Sequence, residues 1–141
     1  MTSTKSGKIV YTERAFEQDA DLAMGNDIVR ALVELITNAD DAYGSNEGGI
    51  EVVVTRSAGK PVSVAVGDRA KGLTPADLEA CFGVLGAKTS GFAEGERVRG
   101  LFGRGAKDTA AFGRTVFETI KDDVYAVFEL ARSGAWTSES R

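Results

Sequence analysis

The chain has no histidine and a single cysteine, Cys81, among its 141 residues. Without histidine there is no Ser-His-Asp or Cys-His nucleophile system, no imidazole metal ligand and no phospho-acceptor histidine. A lone cysteine forms no internal disulfide and no cysteine zinc cluster. Positive charge is also short: 17 Lys and Arg stand against 21 Asp and Glu, a net charge of -4. That is the wrong sign for a domain whose main work is neutralising a phosphate backbone, so nucleic acid is not an expected partner of this domain alone. No apolar run approaches the roughly 18 residues of a membrane span, and residues 1–8 lack the hydrophobic stretch of a signal peptide. The sequence therefore reads as intracellular and cytoplasmic, with no membrane partner. Proline is scarce at 2 residues, whereas glycine reaches 17, above the roughly 7% of ordinary chains, and it is clustered.

The length suits one domain with room for a core. Residues 9–11 read as a short edge strand and 13–21 as a short helix. The strongest element is an amphipathic helix over 26–43, with Ile28, Leu32, Leu35, Ile36 and Ala39 at helical spacing, Asn26 as its cap and Gly44 at its end. Valine-rich runs at 50–56 and 61–66 predict strands. Thr74, Pro75 and Asp77 predict a capped helix over 75–82. Residues 83–100, punctuated by five glycines, read as a lid. A helix over 103–112, closed by Gly113, should lead to strands 115–120 and 124–130 joined by a turn, and the tail from 131 is weakly patterned. The expected fold is α+β: a two-layer sandwich of helices on a mixed, mostly antiparallel sheet.

Three features could carry chemistry. On the long helix Glu34, Asn38 and Asp41 stand at i, i+4 and i+7, a narrow stripe away from the apolar face, where a carboxylate, an amide oxygen and a second carboxylate can orient water or hold a hard cation. Arg30 shares that face, and a plain solvated face is the plainer reading. Asp68 ends an apolar strand beside the 69–72 loop, a position shared by ligand-binding and simple turn aspartates. Third, Gly100, Leu101, Phe102, Gly103, Arg104 and Gly105 open into a helix at Ala106, where close backbone approach and free N–H groups suit a phosphate. The order G-x-x-G-x-G is not the dinucleotide fingerprint, and Gly86-Ala87-Lys88-Thr89 lacks the glycines of a P-loop.

Taken in order, residues 34–42, 68–74 and 100–105 resemble the three motifs of the GHKL ATPases, the Bergerat-fold superfamily of gyrase B, histidine kinase, MutL and the ninety-kilodalton heat-shock chaperone. The resemblance spans about residues 26–130, and within the superfamily the chain most resembles the chaperone and its relatives. It implies an ATP-binding domain that uses Mg²⁺. Glu34 would be the general base, Asn38 would ligand Mg²⁺, and Asp41 would support the nucleotide. Asp68 would accept from the adenine amino group, with Gly72 and Leu73 near the base. Backbone N–H groups of the turn through Gly100, Leu101, Gly103, Arg104, Gly105 and Ala106 would hold phosphates, with Lys88 as their charge partner. A glutamate at 34 argues against the histidine-kinase branch, which typically has asparagine there.

The sequence departs from the family in two places. Ala70 stands where relatives usually have glycine, and the later strand that carries a threonine beside the adenine-binding aspartate is not found before Arg141. Residues 1–141 therefore read as a single domain and a fragment of the fold, with downstream domains of a longer protein as partners. The resemblance implies a slow ATPase in the full-length protein, weak or absent in this chain alone, with lid closure driving conformational change or homodimerisation. The alternative is a non-hydrolysing nucleotide-sensing or protein-interaction module.

Overall fold

A computed structural model describes residues 4–83 and 104–141. Residues 9–11 form no strand: Ile9 and Val10 are exposed, and the Tyr11 hydroxyl folds back to donate to Asp19 Oδ2 at 2.7 Å. An apolar triplet becomes a strand only where a partner edge meets it, and none does among the described residues. Helix α1 runs Glu13–Met24, capped by Thr12, whose Oγ1 accepts from Ala15 N. It runs past the expected residue 21 because the left-handed stop, Gly25 at φ 57°, comes only there.

Helix α2, Ile28–Tyr43, is capped by Asp27 rather than Asn26. Asp27 Oδ1 accepts from Val29 N at 3.0 Å, while Asn26 sits at φ 56° as part of the left-handed reversal between the two helices. Its orientation also corrects the expectation. The buried residues are Ala31, Asn38, Ala39 and Tyr43, whereas Ile28, Val29, Val33 and Ile36 are exposed. Helix α4, Arg104–Asp108, packs on α1 and α2, and with Ala106 and Ala110 fully buried it comes close enough that small residues fit the contact better than branched ones. Thus the polar stripe of α2 turns inward. A 3₁₀ turn, Thr109–Phe112, completes the expected 103–112 helix; Thr109 Oγ1 donates to Ala106 O at 2.5 Å, a bond that favours the tighter coil.

All strand pairs among the described residues are antiparallel, in two sheets. Strands β1, Ile50–Thr55, and β2, Ser63–Asp68, form a hairpin in the register Ile50↔Asp68 to Thr55↔Ser63, packed on α2. β2 starts two residues later than predicted, since Pro61 has no N–H to donate, and it extends to Asp68. Helix α3, Pro75–Phe82, is capped as expected by Thr74, with Asp77 N donating to its Oγ1 at 3.1 Å. The second sheet is a meander of β3, Thr115–Lys121, β4, Val124–Leu130, and β5, Trp136–Ser140. Asp122 and Asp123, at φ 52° and 61°, make the tight two-residue turn of the first hairpin.

Helix α3 packs on β4 and β5 of this sheet, and α1 and α4 add Phe16 and Ala106 to the same core. Phe16, Leu78, Phe82, Ala106, Ala110, Ala126, Phe128 and Leu130 form the core between the layers. Phe82 stacks on Phe117 with centroids 3.9 Å apart, and Phe128 on Trp136 at 5.0 Å. The class is α+β, as expected. No helix among the described residues is long and apolar enough to cross a membrane.

Candidate functional site

The site is built on α2, because its inward turn carries the polar stripe into the interior. Asn38 is 7% exposed, and Glu34 and Asp41, one turn to either side, are half-buried. The Asn38 side-chain oxygen, Oδ1, is buried and accepts no hydrogen bond among the described residues. Leaving such an acceptor unmade costs about 1–3 kcal/mol. Glu34 lines a cavity of about 290 Å³ with Met24, Val29, Arg30, Val33 and Asp108. Asp108 is 3% exposed, so two acidic residues, one half-buried on α2 and one buried on α4, line the same space.

Asp68 ends β2 opposite Ile50 and is exposed. Its Oδ1 accepts from Ala70 N at 2.9 Å, an Asx turn that fixes the carboxylate and involves one of its two oxygens. Two contacts that the sequence does not announce hold this loop. The Tyr43 hydroxyl donates to Gly49 O at 2.6 Å and accepts from Arg69 N at 2.8 Å, tying the end of α2 to the Asp68 turn. Further along, Leu73 N donates to Thr119 Oγ1 on β3 at 2.9 Å. Gly72, at φ 67°, lies so close to β3 that a Cβ would come 2.4 Å from Ile120 O, so glycine is required there. Leu73 is half-buried and packs against the core cluster.

The described structure thus places Glu34, Asn38 and Asp41 on one helix, links that helix to Asp68 through Tyr43, and anchors Gly72 and Leu73 on β3. Arg104, Gly105 and Ala106 open α4, which packs on α2, with Ala106 fully buried. Lys88, Gly100, Leu101 and Gly103 lie outside the described residues, as does the expected lid beyond Gly83. Sequence reasoning missed Tyr43, Thr119 and Asp108. A buried tyrosine at a helix end was the one signal available, since a buried hydroxyl needs partners; the other two depend on which chain segments meet.

Among the described residues no three His, Cys, Asp or Glu side chains are grouped to hold a metal ion. A cation here would have to take most of its ligands from a bound molecule. Cys81 is not a nucleophile candidate: burial pushes its thiol above the ordinary range, Asp77 adds to the rise and Lys107 opposes it. Its reaction with a disulfide reagent at pH 7 should therefore be slower in the folded chain than in guanidinium, and equal rates would contradict this environment.

A family model described as histidine kinase-, DNA gyrase B-, and HSP90-like ATPase matches residues 27–122, more than half of the chain. Comparison with curated proteins gave no match.

Proposed function

The chain belongs to the histidine kinase-, DNA gyrase B-, and HSP90-like ATPase family, and from that premise we propose that it is a Mg²⁺-dependent ATP-binding domain whose closure over the nucleotide drives conformational change or dimerisation of a larger protein. ATP binding follows from the family; the metal, the closure and the residue roles are this proposal. One observation carries it: the buried Oδ1 of Asn38, which accepts no hydrogen bond among the described residues, one helical turn from Glu34. A buried acceptor of this kind calls for a partner such as an ordered water or a bound ion.

The donor set fits Mg²⁺. A neutral amide oxygen is a hard ligand, and with no carboxylate cage among the described residues the ion would be completed by phosphate oxygens and water, the usual arrangement for this cation. Bound there, Mg²⁺ would neutralise charge on the phosphates. The chain's own groups do the rest. Asp68, fixed by Ala70 N, offers an acceptor to the adenine amino group. Glu34, at the cavity shared with Asp108, orients and deprotonates the attacking water. Asp41 supports the nucleotide from the next turn of α2. Backbone N–H groups around residues 104–106 donate to phosphates. The resemblance adds Lys88, Gly100, Leu101 and Gly103 to the phosphate contacts.

The test is thermal unfolding with ATP, Mg²⁺, both, or neither. ATP should stabilise strongly only with Mg²⁺ present. Asn38→Leu removes the orphan acceptor while roughly keeping volume, so the ligand-free variant should be more stable by about 1 kcal/mol, a few degrees, and should lose the Mg²⁺-dependent part of the ATP shift. Retention of that part by Asn38→Leu would sink the metal assignment.

A further inference from the structure

Tyr43 takes no part in the roles assigned above, yet its phenol joins the helix that carries Glu34 and Asn38 to the turn that carries Asp68. It is the last residue of α2 and is 9% exposed. Its hydroxyl uses both of its capacities on backbone: it donates to Gly49 O at 2.6 Å, just before β1, and accepts from Arg69 N at 2.8 Å, just after β2. Ile50 and Asp68 are paired across the hairpin, so the two bonds grip the same end of it from both strands. The ring is held as firmly as the hydroxyl. A Cβ on Gly48 would lie 2.1 Å from Tyr43 Cε1, so backbone and ring are in direct contact. Asp68 Oδ1 is bonded to Ala70 N, the amide next to the one that Tyr43 holds.

We infer that Tyr43 is a positioning residue for nucleotide recognition. It sets the distance and angle between the α2 end of the site and the Asp68 carboxylate, and so governs base recognition without touching the nucleotide. The inference rests on the ATP-binding reading and adds to it a determinant of selectivity. A hydroxyl bonded to two backbone groups at fixed distances tolerates little rotation, so its loss frees the Arg69 amide and lets the Asx turn drift relative to α2. A carboxylate displaced by about 1 Å loses a base contact, while the phosphate end, held from α2 and α4, does not move.

The experiment is calorimetric titration of the 141-residue chain and of Tyr43→Phe with ATP, GTP and inorganic tripolyphosphate, each with Mg²⁺. Tyr43→Phe keeps the ring and removes the hydroxyl. Its dissociation constant for ATP should rise about tenfold, the equivalent of one lost hydrogen bond, and its preference for ATP over GTP should fall by a similar factor. Tripolyphosphate affinity should stay within about twofold of wild type, a split that a merely destabilised protein would not show. Gly48→Ala, which drives a methyl group into the ring but leaves the hydroxyl, should give the same base-specific loss, and it decides the matter if Tyr43→Phe is poorly folded. Unchanged ATP affinity in both variants, or equal weakening of ATP and tripolyphosphate, would overturn the positioning role while leaving the site intact. A wild-type chain that binds neither ligand would overturn the site reading itself, and this inference with it.

Discussion

Replacing Asp68 with asparagine should abolish the stabilisation that ATP and Mg²⁺ give this chain, a shift on the order of 10 °C for the wild type at about 100 times the dissociation constant. The magnitude follows from linkage, since ligand at that excess adds roughly 2.7 kcal/mol to the folded state. The substitution is severe for the ligand and mild for the fold. In the free protein Asp68 Oδ1 accepts from Ala70 N, and asparagine keeps that acceptor, so the Asx turn survives. What changes is the other end of the group: an oxygen that could accept from an exocyclic amine becomes an NH₂ that faces it donor to donor. A site built around one such acceptor rejects the mismatched partner strongly, because the polar groups on both sides are left unpaired. Asp68 is exposed in the absence of ligand, so its replacement should leave the ligand-free melting temperature almost unchanged. A scan with and without ATP reads both quantities. An ATP shift that persists in Asp68→Asn would mean that the base is read elsewhere, and the roles given to Gly72 and Tyr43 would fall with it.

How much of this was legible in the sequence depended on whether a feature was local. The Thr74-Pro75-Asp77 cap, the turn at Asp122 and Asp123, and the stop at Gly113 are read correctly because each fixes its own backbone. Errors arose where a distant partner decided the outcome. The sequence Trp-Thr-Ser-Glu-Ser has no hydrophobic alternation, and it becomes β5 only because β4 offers it an edge, with Val127 opposite Glu139 and Leu130 opposite Trp136. Conversely, Ile9 and Val10 have strand propensity and no partner strand among the described residues. For α2 the periodicity was right and the inward face was right in part: Ala39 is buried and Leu32 and Leu35 half-buried, whereas Ile28 and Ile36 are exposed and Ala31 and Asn38 are buried in their place. At the site, the order of the three motifs pointed to the family that the matched model shows. The connections between them were not. The bond from Arg69 N to Tyr43 spans 26 positions and that from Leu73 N to Thr119 spans 46, separations over which no local rule operates.

Glu34→Ala should separate binding from turnover. The variant should bind ATP with an affinity within a few-fold of wild type and hydrolyse it about 10²–10⁴ times more slowly, the usual contribution of a positioned general base. In the proposed roles Glu34 makes its contact in the transition state, when the attacking water loses its proton, whereas Asp68, Asn38 and the phosphate donors hold the bound state. A group of that kind lowers kcat and leaves ground-state affinity alone. The placement of Glu34 suits a base, since it is half-buried and lines a cavity with the apolar Met24, Val29 and Val33 as well as Arg30 and Asp108. Glu34→Gln refines the result, because the amide can still align a water but cannot take its proton; loss of turnover in both variants assigns proton abstraction, and loss in alanine alone assigns alignment. Turnover unaffected by either change would remove Glu34 from the mechanism and turn attention to Asp108, the other carboxylate on the cavity. If the wild-type protein binds ATP tightly and shows no turnover even with Glu34 present, the nucleotide acts as a ligand rather than a substrate, and the domain is a sensor built on an ATPase fold.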